Sequence, residues 1–438
     1  MTGWAMSEGK RLVPNLRFPE FQDADEWDLF PLSSFVESLD AGVSVNSGDR
    51  PAKKGEASVL KTSAVTCGTF DHQENKVVLD EVEIQRLKES VCKNTVIISR
   101  MNTPDLVGAN AYVEESMEDI FLPDRLWAAR SKPGTSMRFI SYILGSDKGR
   151  AALSKMASGS SGSSGSMKNI TKPDVLSLQV TAPAFVEQQK IADCLSSLDE
   201  LIAAQARKVD ALKTHKKGLM LQIFPREGET EPRLRFSEFR GTEEWQKRKI
   251  STLLIKSVNP VDVDLATTYR EIGIRSHGKG IFHKEPVFGK ALGGKRVFWV
   301  VEDALVLNIV FAWEQALSVT SSAEAGMIAS HRFPMFKARL GKADVNFIKY
   351  FFLTKKGKEL LGIASPGGAG RNKTLGKRYF DNLEFLFPSN AEEQNGIANL
   401  LSSIDALIVS QIQQLDTLKI HKKGLMQQLF PSAEALDA

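Results

Sequence analysis

The chain has 438 residues, of which 42% are apolar and 25% charged, with a formal net charge of +4. That length exceeds one ordinary core and implies two or three domains, and the charge is too small to argue for a nucleic-acid partner by itself. No apolar run approaches the ~20 residues of a membrane span, MTGWAMSEGKRLVPNLRF has no signal-peptide core, and Cys67, Cys92 and Cys194 suggest neither a disulfide framework nor a zinc site. These features predict a cytoplasmic protein with no membrane association.

Residues 1–27 form a leading segment that closes on PNLRFPEFQDADEW, 14–27. Residues 28–185 read as a compact mixed domain, because β-forming runs such as Asn75–Leu79 and TVIISR (95–100) alternate with turn signals at Asn46–Asp49 and Lys132-Pro133-Gly134. A short helix is predicted around Thr135–Leu144. SGSSGSSGSMKN (158–169) then reads as a mobile loop and resembles an engineered linker. A Gly-rich stretch ending in Arg371-Asn372-Lys373 occupies the matching place later in the chain, which favours a native loop.

Residues 186–227 hold a long helix. Its apolar residues step by three and four through Ile191, Leu195, Leu198, Ile202, Val209, Leu212 and Leu219, an a/d seam made for a partner helix. The partner is within the chain. The stretch 187–225 returns ungapped at 393–431, an offset of 206, with 23 of 39 positions identical, and its seam is Ile397, Leu401, Ile404, Ile408, Leu415, Leu418 and Leu425. Both seams are interrupted at one level, by Gln205 and Gln411. Antiparallel packing would bring these two amides together as a register-fixing buried pair, unless the position is simply wet.

A repeated leading segment follows at 228–245, where PRLRFSEFRGTEEW matches 8 of 14 positions of the first, and 246–391 forms a second, dissimilar domain before the C-terminal helix of 392–438. The second domain carries the most basic stretch of the chain: Arg270, Arg275, His277, Lys279, His283, Lys284, Lys290, Lys295 and Arg296 oppose only Glu271 and Glu285. A solvated sheet face or a nucleic-acid surface would both use such charges. Gly396 stands where the first helix has Lys190, a weak helix former near the start of the second.

Catalytic motifs fail. GKALGGKR (289–296) has phosphate-loop spacing without the Ser or Thr that holds magnesium, and Asn259-Pro260-Val261-Asp262 is not an amino-methyltransferase site. His215 and His421, each followed by two lysines, fit structural or partner-facing roles better than a base or a metal ligand.

The duplicated HKKGLM-x-Q-[IL]-FP ends, the EQ-x-x-IA-x-x-LSS-[LI]-D starts, the P-x-LRF-x-EF…EW segments and RMNTPDLVGANAYV resemble the specificity subunit of type I restriction-modification enzymes over essentially the whole chain. The resemblance implies an α+β fold with two mixed α/β target recognition domains, separated by two long helices that form an antiparallel intramolecular coiled coil, in a pseudo-two-fold tandem repeat. It implies double-stranded DNA as ligand, with two methyltransferase subunits and restriction/translocase subunits as partners. S-adenosylmethionine, ATP and magnesium would sit on those partners, leaving this chain without cofactor, metal or catalytic residues. Arg100, Asn102, Lys168, Asn169, Arg275, Lys279, Arg371, Asn372 and Lys373 are the polar residues expected to meet DNA. The rival reading is a duplicated coiled-coil adaptor that never touches DNA.

Overall fold

The structure is a computed structural model that describes residues 12–159, 167–367 and 373–431. Most of the Ser/Gly loop, and Arg371 and Asn372, lie outside the described residues. The chain divides into two compact units, Met1–Ala204 with Gln414–Ala438, and Gln205–Gln413. The divisions fall inside the long helices, Phe185–Ile223 and Ala391–Leu429. Each unit therefore owns one mixed domain and a stretch of both helices.

The centre of the first unit is a four-stranded antiparallel sheet in the order Val36–Ala41, Leu126–Ser131, Thr95–Ser99, Asn110–Val113. Thr95–Ser99 is buried at every residue. A run of β-branched residues with no polar alternation suits a central strand covered on both faces. Helices Met137–Gly145 and Asp147–Met156 follow; the first was legible as an apolar run, the second was not.

The second unit repeats this plan with other residues. Its sheet runs Leu254–Ser257, Met335–Ala338, Leu305–Leu307, Leu317–Val319, followed by helices Val345–Leu353 and Lys355–Ile363. In both units one hydroxyl ends the first helix of the pair and caps the second: Ser146 Oγ accepts from Gly149 N at 3.1 Å and Thr354 Oγ1 from Gly357 N at 3.0 Å. The glycines are required there, since a Cβ would fall 2.2 Å from the carbonyl oxygen of Ile143 or of Phe351. The units diverge beyond this frame. The first adds a sheet of Asn75–Val77, Ser58–Leu60, Met117–Phe121 and Ser90–Val91, whereas the second carries three short two-stranded ribbons.

The repeated sequence motifs are explained by one buried clamp. Arg17 forks onto Glu187 through Nε and Nη2 at 2.8 and 2.7 Å, and Trp27 Nε1 donates to the same carboxylate at 3.3 Å. In the second unit Arg235 forks onto Glu393 at 2.7 and 2.9 Å, and Trp245 Nε1 donates at 3.1 Å. A bidentate guanidinium and an indole satisfy a carboxylate that is 2% or 1% exposed, so the leading segment is fastened to the first turn of its helix. The next residue holds the domain: Gln188 Oε1 accepts from Ser136 N at 3.2 Å, and Gln394 Oε1 from Asp344 N at 2.9 Å, each at the N-cap of the first paired helix.

Within each unit the two long helices run antiparallel. Lys422 binds Asp199 in the first at 2.6 Å, with Tyr142 Oη donating to the same carboxylate; Lys216 binds Asp405 in the second at 2.5 Å, with Tyr350 Oη donating. Gln205 Nε2 donates to the Gln411 side-chain oxygen at 3.2 Å and to its carbonyl at 2.9 Å. All seam positions are buried or half-buried. Gly396 does not interrupt the second helix. The ring of Phe236 lies against it, where a Cβ would come within 3.2 Å, while in the first copy Lys190 lies over the equivalent Phe18.

Candidate nucleic-acid interface

In each unit the chain leaving the central strand forms a platform to which the Gly-rich loop returns. In the first unit Lys168–Asn169 pairs with Met101–Asn102 on one side and Ser158–Gly159 on the other, and Ile170 N donates to Arg100 O at 2.9 Å. In the second, Leu375 N donates to Ile309 O at 2.8 Å at the corresponding point. Both loops thus leave after the second paired helix and return beside the same strand exit.

Four predicted residues of the first unit are brought together on that platform. The Arg100 guanidinium lies over the Trp127 ring at 5.6 Å. Its Nε, the Trp127 Nε1 and the Asn169 Oδ1 are buried atoms with no hydrogen-bond partner among the described residues. Unmatched buried polar atoms cost about 1–3 kcal/mol each, which makes these three a candidate ligand-facing group. Asn102 differs from its neighbours. It is 8% exposed, its amide donates to Ser99 Oγ at 3.3 Å, and its Oδ1 accepts from Thr103 N at 2.9 Å, so it organises the turn.

In the second unit Arg275 and Lys279 are exposed at the tip of the hairpin formed by Ile272–Ile274 and Ile281–His283. Arg275 lies over Phe282 at 4.8 Å. The tip is pinned to the strand-exit platform: His277 N donates to Glu314 O at 2.7 Å and Gly278 N to Gln315 O at 3.0 Å. Lys373 lies over Trp313 at 5.3 Å on the same platform. Trp127 and Trp313, which sequence reasoning passed over, are the aromatic partners of the candidate cations. Their signal was a tryptophan close in the chain to a central strand, visible only once the strands were paired.

The basic stretch of 270–296 is less open than its composition implied. Lys284 and Lys295 both face Glu271 Oε2, at 3.3 and 3.8 Å, and His283 Nε2 lies 3.0 Å from Glu324 Oε1. Burial alone would raise the Glu324 pKa, but hydrogen bonds from His283 and Ser321 hold it below the usual carboxylate value. Glu324 is distant in sequence, which is why the imbalance looked larger than it is. Among the described residues no group of three or more His, Cys, Asp and Glu side chains could hold a metal ion, and no helix is long and apolar enough to cross a membrane.

Residues 24–214 match the family model described as the type I restriction modification DNA specificity domain. Over 413 residues, 93% of each chain, the sequence is 21% identical to the putative type I restriction enzyme MjaX specificity subunit of Methanocaldococcus jannaschii. The crystal structure of the type I restriction-modification system S subunit from M. genitalium aligns with a TM-score of 0.60 at 13% identity, over 96% of this chain and all of that one. Residues 24–214 thus match the specificity domain of type I restriction-modification systems, and the whole chain is similar to a specificity subunit of that class.

Proposed function

We propose that this chain is the DNA-reading subunit of a type I restriction-modification complex in the cytoplasm and that it recognises an asymmetric bipartite target. One observation carries the reading: two units share a buried frame built from repeated residues, yet present unlike surfaces at the same strand exit. Arg100, Lys168 and Asn169 serve one half-site. Arg275, Lys279 and Lys373 serve the other, together with Arg371 and Asn372, which lie outside the described residues. Arginine reads guanine and asparagine adenine through paired hydrogen bonds, whereas lysine holds phosphate. Trp127, Phe282 and Trp313 orient the cations. Methyl transfer with S-adenosylmethionine, and translocation and cleavage with ATP and magnesium, belong to two methyltransferase and to restriction subunits.

Gel shifts of the purified chain with its methyltransferase partner test this. Replacing Arg100 or Arg275 by alanine is expected to relax preference at one position of one half-site, worth about 1–3 kcal/mol. Replacing Lys168 or Lys373 is expected to weaken all sequences alike and to lower the salt slope by about one unit. Absence of sequence-specific binding with the partner present would favour the adaptor reading.

A further inference from the structure

One charge in the second unit has no counterpart in the first. Tyr142 and Tyr350 hold the same place in the first of the paired helices, each donating to an aspartate of a long helix, Asp199 or Asp405. The residue before that tyrosine is the buried Ser141 in the first unit and the half-buried Lys349 in the second. The carboxylates near Lys349 are already engaged. Asp405 Oδ1 accepts from Lys216 Nζ and its Oδ2 from Tyr350 Oη at 2.8 Å, while Asp344 caps the helix by accepting from Phe347 N at 2.7 Å. Lys349 Nζ meets Asn346 Oδ1 at 3.3 Å and the face of Tyr350 at 4.1 Å, and makes no ion pair among the described residues. A half-buried cation without a counter-charge weakens the fold, and the matching frame of the first unit does without one.

Lys349 lines a cavity of about 870 Å³ within the second unit. The hairpin tip at His277–Gly280 forms one wall, the turn at Thr354 and Lys355 another, and the long helices the rest. Gln315 ties the first two walls together: its main-chain carbonyl accepts from Gly278 N at 3.0 Å, and its Nε2 donates to Phe352 O and Thr354 O at 2.9 and 3.2 Å. Lys217, Lys279 and Lys355 stand exposed at the rim without an ion pair among the described residues, and Lys213 pairs with the exposed Asp210 at 3.6 Å. His277 adds a titratable ring at the tip. The start of the nine-residue helix Lys355–Ile363 adds the positive end of its dipole. Among the described residues Asp405 is the only carboxylate in the lining, and Leu317, Leu353, Ile408 and Ile412 supply an aliphatic floor. Such a cavity attracts a small multivalent anion and has room for an apolar group attached to it.

We propose that Lys349 is a site of acylation by small acyl phosphates, whose phosphate the cationic rim gathers and whose acyl group the aliphatic floor accommodates. The neutral Nζ attacks the carbonyl carbon, a C–N bond forms, and the bond from that carbon to the phosphate oxygen breaks. The phosphate leaves with the electron pair and takes up the proton that the nitrogen loses, so the products are an amide and hydrogen phosphate. Lys217, Lys279, Lys355 and the helix start hold the leaving group and stabilise the charge it gains. The amine is available because burial, the largest influence on it, brings the Lys349 pKa down to about 8. About half of Lys349 is then neutral at pH 8, against roughly one part in 300 of an ordinary lysine. Acylation removes the uncompensated charge from inside the unit. The inference is independent of whether the chain reads DNA.

The test is peptide mapping by mass spectrometry of the full-length chain after brief exposure to acetyl phosphate, with the uncharged reagent p-nitrophenyl acetate for comparison. At pH 8 acetyl phosphate is expected to modify Lys349 about tenfold faster than the exposed lysines of the same chain. Replacing two rim cations together, Lys217→Gln with Lys355→Gln, is expected to slow that reaction about fivefold and to leave the p-nitrophenyl acetate reaction at Lys349 unchanged. Inorganic phosphate should compete with acetyl phosphate alone. Lys349→Arg should remove the fast site, and circular dichroism would show each variant folded. The acetylated chain is expected to melt above the untreated chain at pH 7 and level with it at pH 10. Modification of Lys349 no faster than that of the exposed lysines would overturn the proposal. So would a folded rim variant that reacts with acetyl phosphate at the wild-type rate, or a preference for Lys349 shared equally by both reagents without competition from phosphate.

Discussion

Gln205 bonds to its own counterpart: its side-chain amide reaches the side-chain oxygen of Gln411 at 3.2 Å and the carbonyl oxygen of the same residue at 2.9 Å. One seam position in each repeat thus carries an amide, and antiparallel pairing puts the two amides together. Gln411 is 5% exposed, so its polar atoms depend on this contact. Gln205→Leu removes the partner of the buried Gln411 side-chain oxygen, at a cost of about 1–2 kcal/mol, whereas Gln411→Leu keeps the bond from Gln205 Nε2 to the main-chain carbonyl and is expected to cost less. Replacing both removes the polar requirement and is expected to be neutral or stabilising by roughly 1–3 kcal/mol. Urea denaturation of the two single variants and the double variant measures the coupling. A double variant as unstable as the sum of the singles would show the pair to be incidental.

The Arg–Glu–Trp clamps are expected to dominate the stability of each frame. Glu187→Gln leaves the Arg17 guanidinium, whose side chain is 6% exposed, without its ion-pair partner, whereas Arg235 in Glu393→Gln keeps Glu231 at 2.9 Å. Breaking a buried pair from one side costs about 3–5 kcal/mol. The denaturant midpoint should fall further for Glu187→Gln than for Glu393→Gln, because Glu231 still faces Arg235. A loss below 1 kcal/mol at either site would contradict the role assigned to these motifs.

Lys349 gives the second unit a pH dependence of known sign. Burial, the largest cause, lowers its pKa from 10.5 to about 8, with Asp405 and Asp344 opposing the shift and Lys216 adding to it. The folded chain holds this proton less tightly than the unfolded chain, so the charged lysine destabilises the fold below pH 8. That penalty is relieved as pH rises from about 8 towards 10.5. Lys349→Met is expected to stabilise the chain at pH 7 by on the order of 2–3 kcal/mol. Its advantage over wild type should vanish near pH 10. An advantage independent of pH would locate the effect in packing instead.

The tandem plan was legible because repeats need no structural context: two copies of one helix, each preceded by one leading segment, state the architecture directly. The Gln205 and Gln411 level could be read from seam spacing alone. The frame inside the domains could not. Ser146 and Thr354 match in role, as do Gly149 and Gly357, yet the helices around them share too few residues to align by eye. The candidate interface was legible only as a set of polar residues. Arg100 lies over Trp127, Lys373 over Trp313, and Asn102 is bonded to Ser99 and Thr103, and each of these facts depends on how the chain folds around the sheet. The charge imbalance of the basic stretch was overstated because Glu324, the partner of His283, lies 41 residues away.

The most direct measurement is a single-molecule sequencing map of methylated adenines in cells carrying this chain with its methyltransferase subunit, compared with the same chain whose residues 28–185 come from another specificity subunit. The account predicts an asymmetric two-part motif with an unread spacer for the first. For the second it predicts one altered half-site, with the other half-site and the spacer unchanged. A continuous motif, a change in both half-sites, or no sequence-dependent methylation would contradict it.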